Sequence, residues 1–281
     1  MPIELLQTGL LQGLILSIVA LGVFIPFRLL NFPDLTAEGS YPVGGAICSS
    51  LLVAGISPAV AVLVACISAG FLGICTGMVH FYFHVDSILA GIILSTMTYS
   101  VNLRWMGKPN IALFSQSTFF SSFSENEWMK IGFIASIVAG IVLLLSFFLR
   151  TEKGLRFRAV GLNPSFAERQ GISLKLHILV GLFVGNALCG LAGSLMVQVQ
   201  GYADINMGVG IVIHALAGVM IGERFLKVNA VLYQPFLPVL GAALYQQIQG
   251  LALALGLAPS DLKLLTGGIV LGVLKMHPKP L

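Results

Sequence analysis

In "FRLLNFPDLTAEGSYPVGGA", residues 27–46, an arginine and two acids stand between two strongly apolar runs. Pro33 and Pro42 lack a backbone donor and Gly39, Gly44 and Gly45 weaken helix, so the backbone is expected to break here. Asp34 beside such a break can accept bonds from the free N–H groups of the helix that follows, as Thr36 can, or it can take a direct part in gating. Glu38 is harder to read as a cap. "GYADINMG", residues 201–208, offers the same alternatives for Asp204 and Asn206. Pro33, Asp34, Thr36, Glu38, Gly39, Asp204 and Asn206 are therefore the candidate helix-break and gate residues.

Other chemistry is sparse. His214 is the one ionisable group deep in an apolar helix, and it is read as a satisfied core donor, without a second acid or histidine to form a proton relay. Cys48, Cys66, Cys75 and Cys189 lie in apolar runs with no CxxC pair and no zinc-like histidine spacing, so no metal site is expected. No paired acids, HExxH motif or Ser/His/Asp set stands in the apolar segments, and no GxxxxGK[ST] phosphate loop occurs, so neither an embedded enzyme nor an ATP-binding chain is expected.

The second informative stretch is "RTEKGLRFRAVGLNPSFAERQGISLK", residues 150–175. It reads as a short amphipathic helix: Asn163 and Pro164 cap and start it, Ala167 and Glu168 fall in the next turn, and Gly171 ends it. A loop kept only for solubility has no use for Phe157, Val160, Leu162, Phe166 and Ile172 among its charges. A docking surface for another protein is expected, with Phe and Leu as anchors and Arg156, Arg158 and Arg169 for orientation.

The elements that carry these stretches are membrane helices. The chain has 281 residues, 57% hydrophobic and 9% charged, against about a quarter charged in soluble domains. Its mean hydropathy is +0.96. The fold class is all-α and polytopic, a single membrane domain over 1–281. Full-length apolar runs lie near 5–29, 58–79, 128–149 and 175–198, and shorter ones near 41–55, 87–103, 208–222, 229–249 and 262–275. About nine crossings are expected, within a range of roughly eight to ten. The first run, with Glu4 where a signal peptide has basic residues, is read as an uncleaved spanning helix.

Positive-inside bias puts 150–175 in the cytoplasm, which leaves the N-terminus and the 104–127 loop outside and the 27–46 stretch at the inner face. "PDLTAEG" from 33 is echoed by "ADINMG" from 203, and "AGIIL" at 90–94 by "GGIVL" at 267–271. The echo divides the chain into a first half, 1–103, a linking loop and helix, 104–149, the coupling segment, 150–175, and a second half, 176–281, arranged as an inverted repeat. The net charge of +4 gathers at segment ends, as membrane topology requires, and does not indicate nucleic acid.

These stretches also resemble a known family. "GLRFRAVGLNPSFAERQGI" resembles the coupling segment of ABC importer permeases of the branched-chain amino acid and ribose type, whose Arg-Ala-x-Gly-x-Asn-x-x-Ala pattern falls here on Arg158, Ala159, Gly161, Asn163 and Ala167. "LNFPDLTAEGSYPVGGA", "NLRWMGKPNIALF" and "QGYADINMGVGIVIHALAGVMIGE" resemble a branch of those permeases associated with tryptophan or tyrosine uptake. The resemblance implies a multi-pass permease of the bacterial inner membrane, working as a homodimer with two ABC ATPase subunits below and a periplasmic or lipid-anchored solute-binding protein above. It implies no cofactor on this chain, with ATP-Mg held by the ATPase. The ATPase-coupling residues would be Arg156, Phe157, Arg158, Gly161, Asn163, Pro164, Phe166, Ala167, Glu168 and Arg169. The few charges along the apolar segments suit a small solute with polar and apolar parts, which Phe24, Tyr99 or Tyr202 can stack against, although each of the three is read first as a packed core residue or part of an interfacial belt. An ion-coupled secondary transporter is the rival reading, since it too uses broken helices and inverted repeats, but it has no use for a Phe-studded Arg loop.

Overall fold

The computed structural model describes residues 3–121, 126–225, 231–258 and 261–275. Helix α1, Ile3–Phe24, runs on into a π-helical turn at Ile25–Leu29 that contains Pro26, and the Leu30 amide there bonds back to the Ile25 carbonyl. The chain then reverses at Asn31, which adopts a left-handed conformation, and an extended passage leads into α2, Ala37–Val53. Then follow α3, Pro58–Phe83, α4, Ser87–Met106, the short strand β1, Asn110–Ala112, and α5, Glu127–Arg150. Two short helices, α6, Glu152–Leu162, and α7, Pro164–Arg169, precede α8, Leu174–Gln200. Strand β2, Tyr202–Asp204, α9, Ile211–Phe225, α10, Phe236–Ala254, and α11, Leu262–Lys275, complete the described residues.

Each of the nine apolar pieces read from the sequence falls largely on a helix. Among the described residues five helices are long and apolar enough to cross a bilayer, namely α1 with its π turn, α3, α5, α8 and α10. The departure from an all-α chain is a two-strand ladder, in which β1 pairs antiparallel with β2 and Ile111 lies opposite Ala203. It ties the 107–121 loop to the segment before α9.

Helix α1 is the centre of the bundle, with Ile18, Val19, Ala20 and Leu21 wholly inaccessible. Around it helices pack in antiparallel pairs. Helix α3 lies antiparallel to α8, with Gly73 against Leu182 and Gly190 against Ala65, while α10 lies antiparallel to α1, with Gly13 against Ala243 and Gly9 against Gln247. In lipid, apolar burial alone does little to hold helices together, so close approach between small residues carries the packing. Gly44 shows this: a Cβ there would run into the Gly190 carbonyl.

Helix α2 runs parallel to α8 in a fixed register, Ser40 beside Asn186, Gly44 beside Gly190 and Cys48 beside Ser194. Asn186 stands about 18 Å along α8 from Leu174, at the helical rise of about 1.5 Å per residue. The start of α2 therefore sits near the middle of α8. This corrects the expectation that residues 27–46 all lie at one face: Arg28 does, but Asp34 does not. The broken passage climbs back into the bundle because its polar groups find partners there.

Candidate functional site

At one end of the bundle α6 and α7 form a bent platform, two helices where the sequence suggested one. Asn163 makes the bend: it ends α6 and, with its Oδ1 accepting from the Phe166 amide at 3.0 Å, caps α7, which Pro164 begins. Gly171, at φ 75°, follows the last turn. Gly161 lets α6 lie directly on the π turn, since a Cβ there would strike the Leu29 carbonyl. Beside this contact Arg28 forms a paired ion bridge to Glu223 at the end of α9.

The apolar residues of the platform divide into two sets. Phe157 and Val160 are buried, Phe157 edge-on to Phe148, and Ala167 is buried with them, so these residues fasten the platform to the bundle. Leu155, Leu162 and Phe166 are exposed, Leu162 at 82%. The anchor expected at Phe157 is thus turned inward, as is Val160 of the expected docking surface, and Leu155, outside that set, faces out. Arg156 pairs with Glu152 one turn back, Arg158 borders a groove with Arg150, Leu155 and Leu232, and Glu168 and Arg169 are exposed.

The break carries a buried polar cluster. Asp34 is 2% exposed; its Oδ1 accepts from the Thr36 amide at 2.8 Å and its Oδ2 from Asn186 Nδ2, also at 2.8 Å. Asn186 also donates to the Leu182 carbonyl, and its Oδ1 accepts from the Ser40 hydroxyl at 2.6 Å. The Thr36 and Thr76 hydroxyls share a bond of 2.7 Å. Asp34 thus accepts from the amide of Thr36, the N-cap residue of α2, and not from an amide inside the helix, while the Thr36 side chain caps no amide of α2. Asp34 holds α2, the broken passage and α8 together. Pro33 opens the passage and is half-buried, and Gly39 lets α2 approach Ser95 and Thr98 of α4. Asp204 makes the same local turn as Asp34, accepting from the Asn206 amide at 2.6 Å, but beside the β1–β2 ladder.

Cavities flank the first turns of α2. One, about 470 Å³, lies among α1, α2, α8, α9 and α10, with Tyr41, Asp204, Asn206, His214, Gln246 and Gln249 supplying polar groups and Ile15, Val19 and Met207 apolar walls. Gln246 donates to Gln12 at 2.7 Å, and the His214 ring lies 5.7 Å from that of Tyr245. Among the described residues, no lysine or arginine lines it. The second, about 270 Å³, lies between α2, α4 and the segment before α9, with Glu38, Ser95, Thr96, Tyr99, Asn102 and Asn206 on its walls. Pro42 leaves the Glu38 carbonyl without its helical partner, and that carbonyl packs on Gly208. Tyr99 and Tyr202 line cavities, whereas Phe24 is buried in the core. His214, read as a core group, is half-buried and faces a cavity.

A multi-pass bundle with a broken second helix, polar cavities between its helices and an amphipathic platform at one end suits a transport subunit driven from outside itself. The family model described as "Branched-chain amino acid transport system / permease component" matches residues 5–274. The chain belongs to this permease family. Among its relatives, the tyrosine transport system permease protein of Clostridioides difficile is 38% identical over 263 residues, 94% of this chain and 88% of that protein. An uncharacterized protein of Rickettsia prowazekii is 32% identical over 269 residues, 94% of each chain. The D-allose transport system permease protein of Escherichia coli is 25% identical over 223 residues, 75% of this chain and 64% of that protein. No solved structure matches the chain. As a permease of this family the chain is a membrane transport subunit of an ABC importer, with a transport rather than a catalytic role.

Proposed function

We propose that this permease forms the translocation path for an aromatic amino acid in an ATP-driven importer of a bacterial inner membrane. It works as a pair of identical copies, with ABC ATPase subunits docked on α6 and α7 and a solute-binding protein at the opposite end, by the ladder. ATP-Mg is bound by the ATPase. The observation that carries the reading is the platform: exposed Leu155, Leu162 and Phe166 among arginines, on helices clamped to the π turn after α1 by Gly161 and to α5 by Phe157. Such a surface suits a partner that pushes on the bundle. Closure of an ATPase dimer would move the platform and bias the bundle between inward and outward openings, given that the two states differ in their contacts with it. The substrate assignment is supported by the tyrosine permease relative and by cavities that combine tyrosines, amides and apolar walls.

The test is to extract the tagged chain from its own host in mild detergent, identify what accompanies it by mass spectrometry, and repeat with Arg158→Ala and Phe166→Ala. A co-purifying ATPase that the variants lose, with tyrosine uptake that stops on ATP depletion, is the expected result. Recovery of the chain alone, with uptake that follows an ion gradient and survives ATP depletion, overturns the reading in favour of a secondary transporter.

A further inference from the structure

Glu38 is left without a role by everything above. It stands in the first turn of α2, one turn beyond Asp34 and beside the level of Asn186, near the middle of α8. Its side chain is half-buried and, unlike Asp34, it forms no ion pair or side-chain hydrogen bond with another side chain among the described residues; the Gly210 amide is the neighbour it meets. A carboxylate at such depth is costly unless water or a cation reaches it. Water has a route, because Glu38 borders two cavities at once: the one of about 270 Å³ already described, and another of about 350 Å³ between α2, α9 and α11.

The cavity of about 350 Å³ is also bordered by a cationic side chain. Lys263, in the first turn of α11, lines it together with Ile213, His214 and Thr266. Among the described residues, Lys263 has no ion-pair partner, and Glu38 and Lys263 do not pair with each other. Two opposite charges that face one cavity without meeting leave room for a molecule that carries both. A dianion would be repelled by Glu38 and a dication by Lys263, whereas a zwitterion satisfies each. Thr266 is already bonded to Tyr245 and Leu262, so Glu38, Lys263 and His214 are the groups free to turn to a ligand. Val209 and Ile213 offer apolar surface to the ligand's side chain. The volume lies within the range of about 300–1,000 Å³ usual for small-molecule sites.

We infer that this cavity is a zwitterion site on the translocation path, in which Glu38 takes the ammonium group of an α-amino acid and Lys263 its carboxylate. The inference rests on the transport reading above and adds to it the residues that recognise the amino-acid head. Asp34, fully engaged with Thr36 and Asn186, is excluded from that task.

The experiment measures binding of radiolabelled tyrosine to the purified full-length chain, with tyramine, which lacks the carboxylate, and 3-(4-hydroxyphenyl)propionate, which lacks the ammonium group, as competitors. The wild-type chain should prefer tyrosine to either competitor by about tenfold or more, the worth of one charge-assisted contact. Glu38→Gln should erase the preference over the propionate and Lys263→Gln the preference over tyramine, each leaving the other preference in place. Glu38→Asp should keep both, which separates charge recognition from loss of fold. If both variants keep both preferences, the site is wrong. Leucine and glycine serve as further labelled probes: leucine bound with the same dependence on Glu38 and Lys263, and tyrosine not bound, would end the aromatic reading and leave the zwitterion site standing. Failure of every amino acid to bind, in a chain whose complete transporter imports one, would end the proposal.

Discussion

Asp34→Ala tests whether the polar cluster holds the broken passage in place. The substitution removes the acceptor of two bonds of 2.8 Å and strands the Thr36 amide in a site that water does not reach. Hydrogen bonds to a charged group contribute about 1.5–3 kcal/mol each, so the loss should be about 3–5 kcal/mol. At roughly 2–4 °C per kcal/mol for a chain of this order of size, the apparent Tm should fall by about 6–20 °C. The assay is the temperature at which half of the detergent-solubilised, fluorescently tagged chain survives gel filtration. Asp34→Asn should lose less than half as much, because Asn186 can turn its amide over. The Oδ1 of Asn186 would then accept from the amide introduced at position 34, while its Nδ2 meets the Ser40 hydroxyl, which can accept as well as donate. Since Asn186 is the partner, Asp34→Ala and Asn186→Ala should be non-additive by about 1 kcal/mol or more. A Tm for Asp34→Ala within about 2 °C of wild type, or strict additivity of the pair, would show that the cluster does not support the passage and would refute this account.

The platform yields a contrast between two phenylalanines. Phe157→Ala should destabilise the chain by about 3–5 kcal/mol as a buried aromatic, whereas Phe166→Ala should leave its melting unchanged and abolish ATPase capture. The same thermal assay and the co-purification assay read the two outcomes. Gly44→Val should prevent a folded peak in gel filtration, because the added side chain drives α2 off the Gly190 carbonyl. Arg28→Gln, at a half-exposed pair, should cost about 1 kcal/mol or less and is measured by the same melt.

Much of this fold was legible in the sequence because its signals are long. Apolar runs of about 20 residues and clustered cations needed no tertiary information. Asn163-Pro164 marked its turn for the same local reason: the cap bond reaches only three residues along the chain. What stayed hidden depends on distant partners. Asp34 reads locally as a cap, but its bond to Asn186 spans 152 residues and carries it into the bundle. Asn186 was itself passed over, although a lone amide in the apolar run "LFVGNALCG" was a visible signal. The inward turn of Phe157 and Val160 was equally invisible, since an amphipathic helix over 152–162 shows which residues share a face but not whether that face meets the bundle or a partner. Glu38 is hard to read as a cap for a reason the structure supplies: it borders two cavities.

These contacts form one continuous route from the platform to the cavities. Gly161 of α6 rests on Leu29, the π turn leads through Leu30 and Asn31 to Phe32, whose ring packs edge-on against His80 at 5.0 Å, and two residues on Asp34 grips Asn186 at the root of α2. Glu38 lies one turn further. A spatial chain is not by itself a demonstration of coupling, which needs an element with two arrangements that both ends bias. The π turn is suited to be that element, because Pro26 withholds an amide and the five-residue ring can relax to an ordinary helical turn. Gly161→Val separates force transmission from assembly. The added side chain pushes α6 off the Leu29 carbonyl while Leu155, Leu162 and Phe166 remain exposed for docking. The ATPase should still co-purify and hydrolyse ATP, yet tyrosine uptake per ATP should fall by about tenfold or more, the effect of about 1.4 kcal/mol lost between motor and path. Uptake that keeps pace with hydrolysis in this variant would mean that the force enters the bundle elsewhere, through Phe157 and α5, and not through the broken passage.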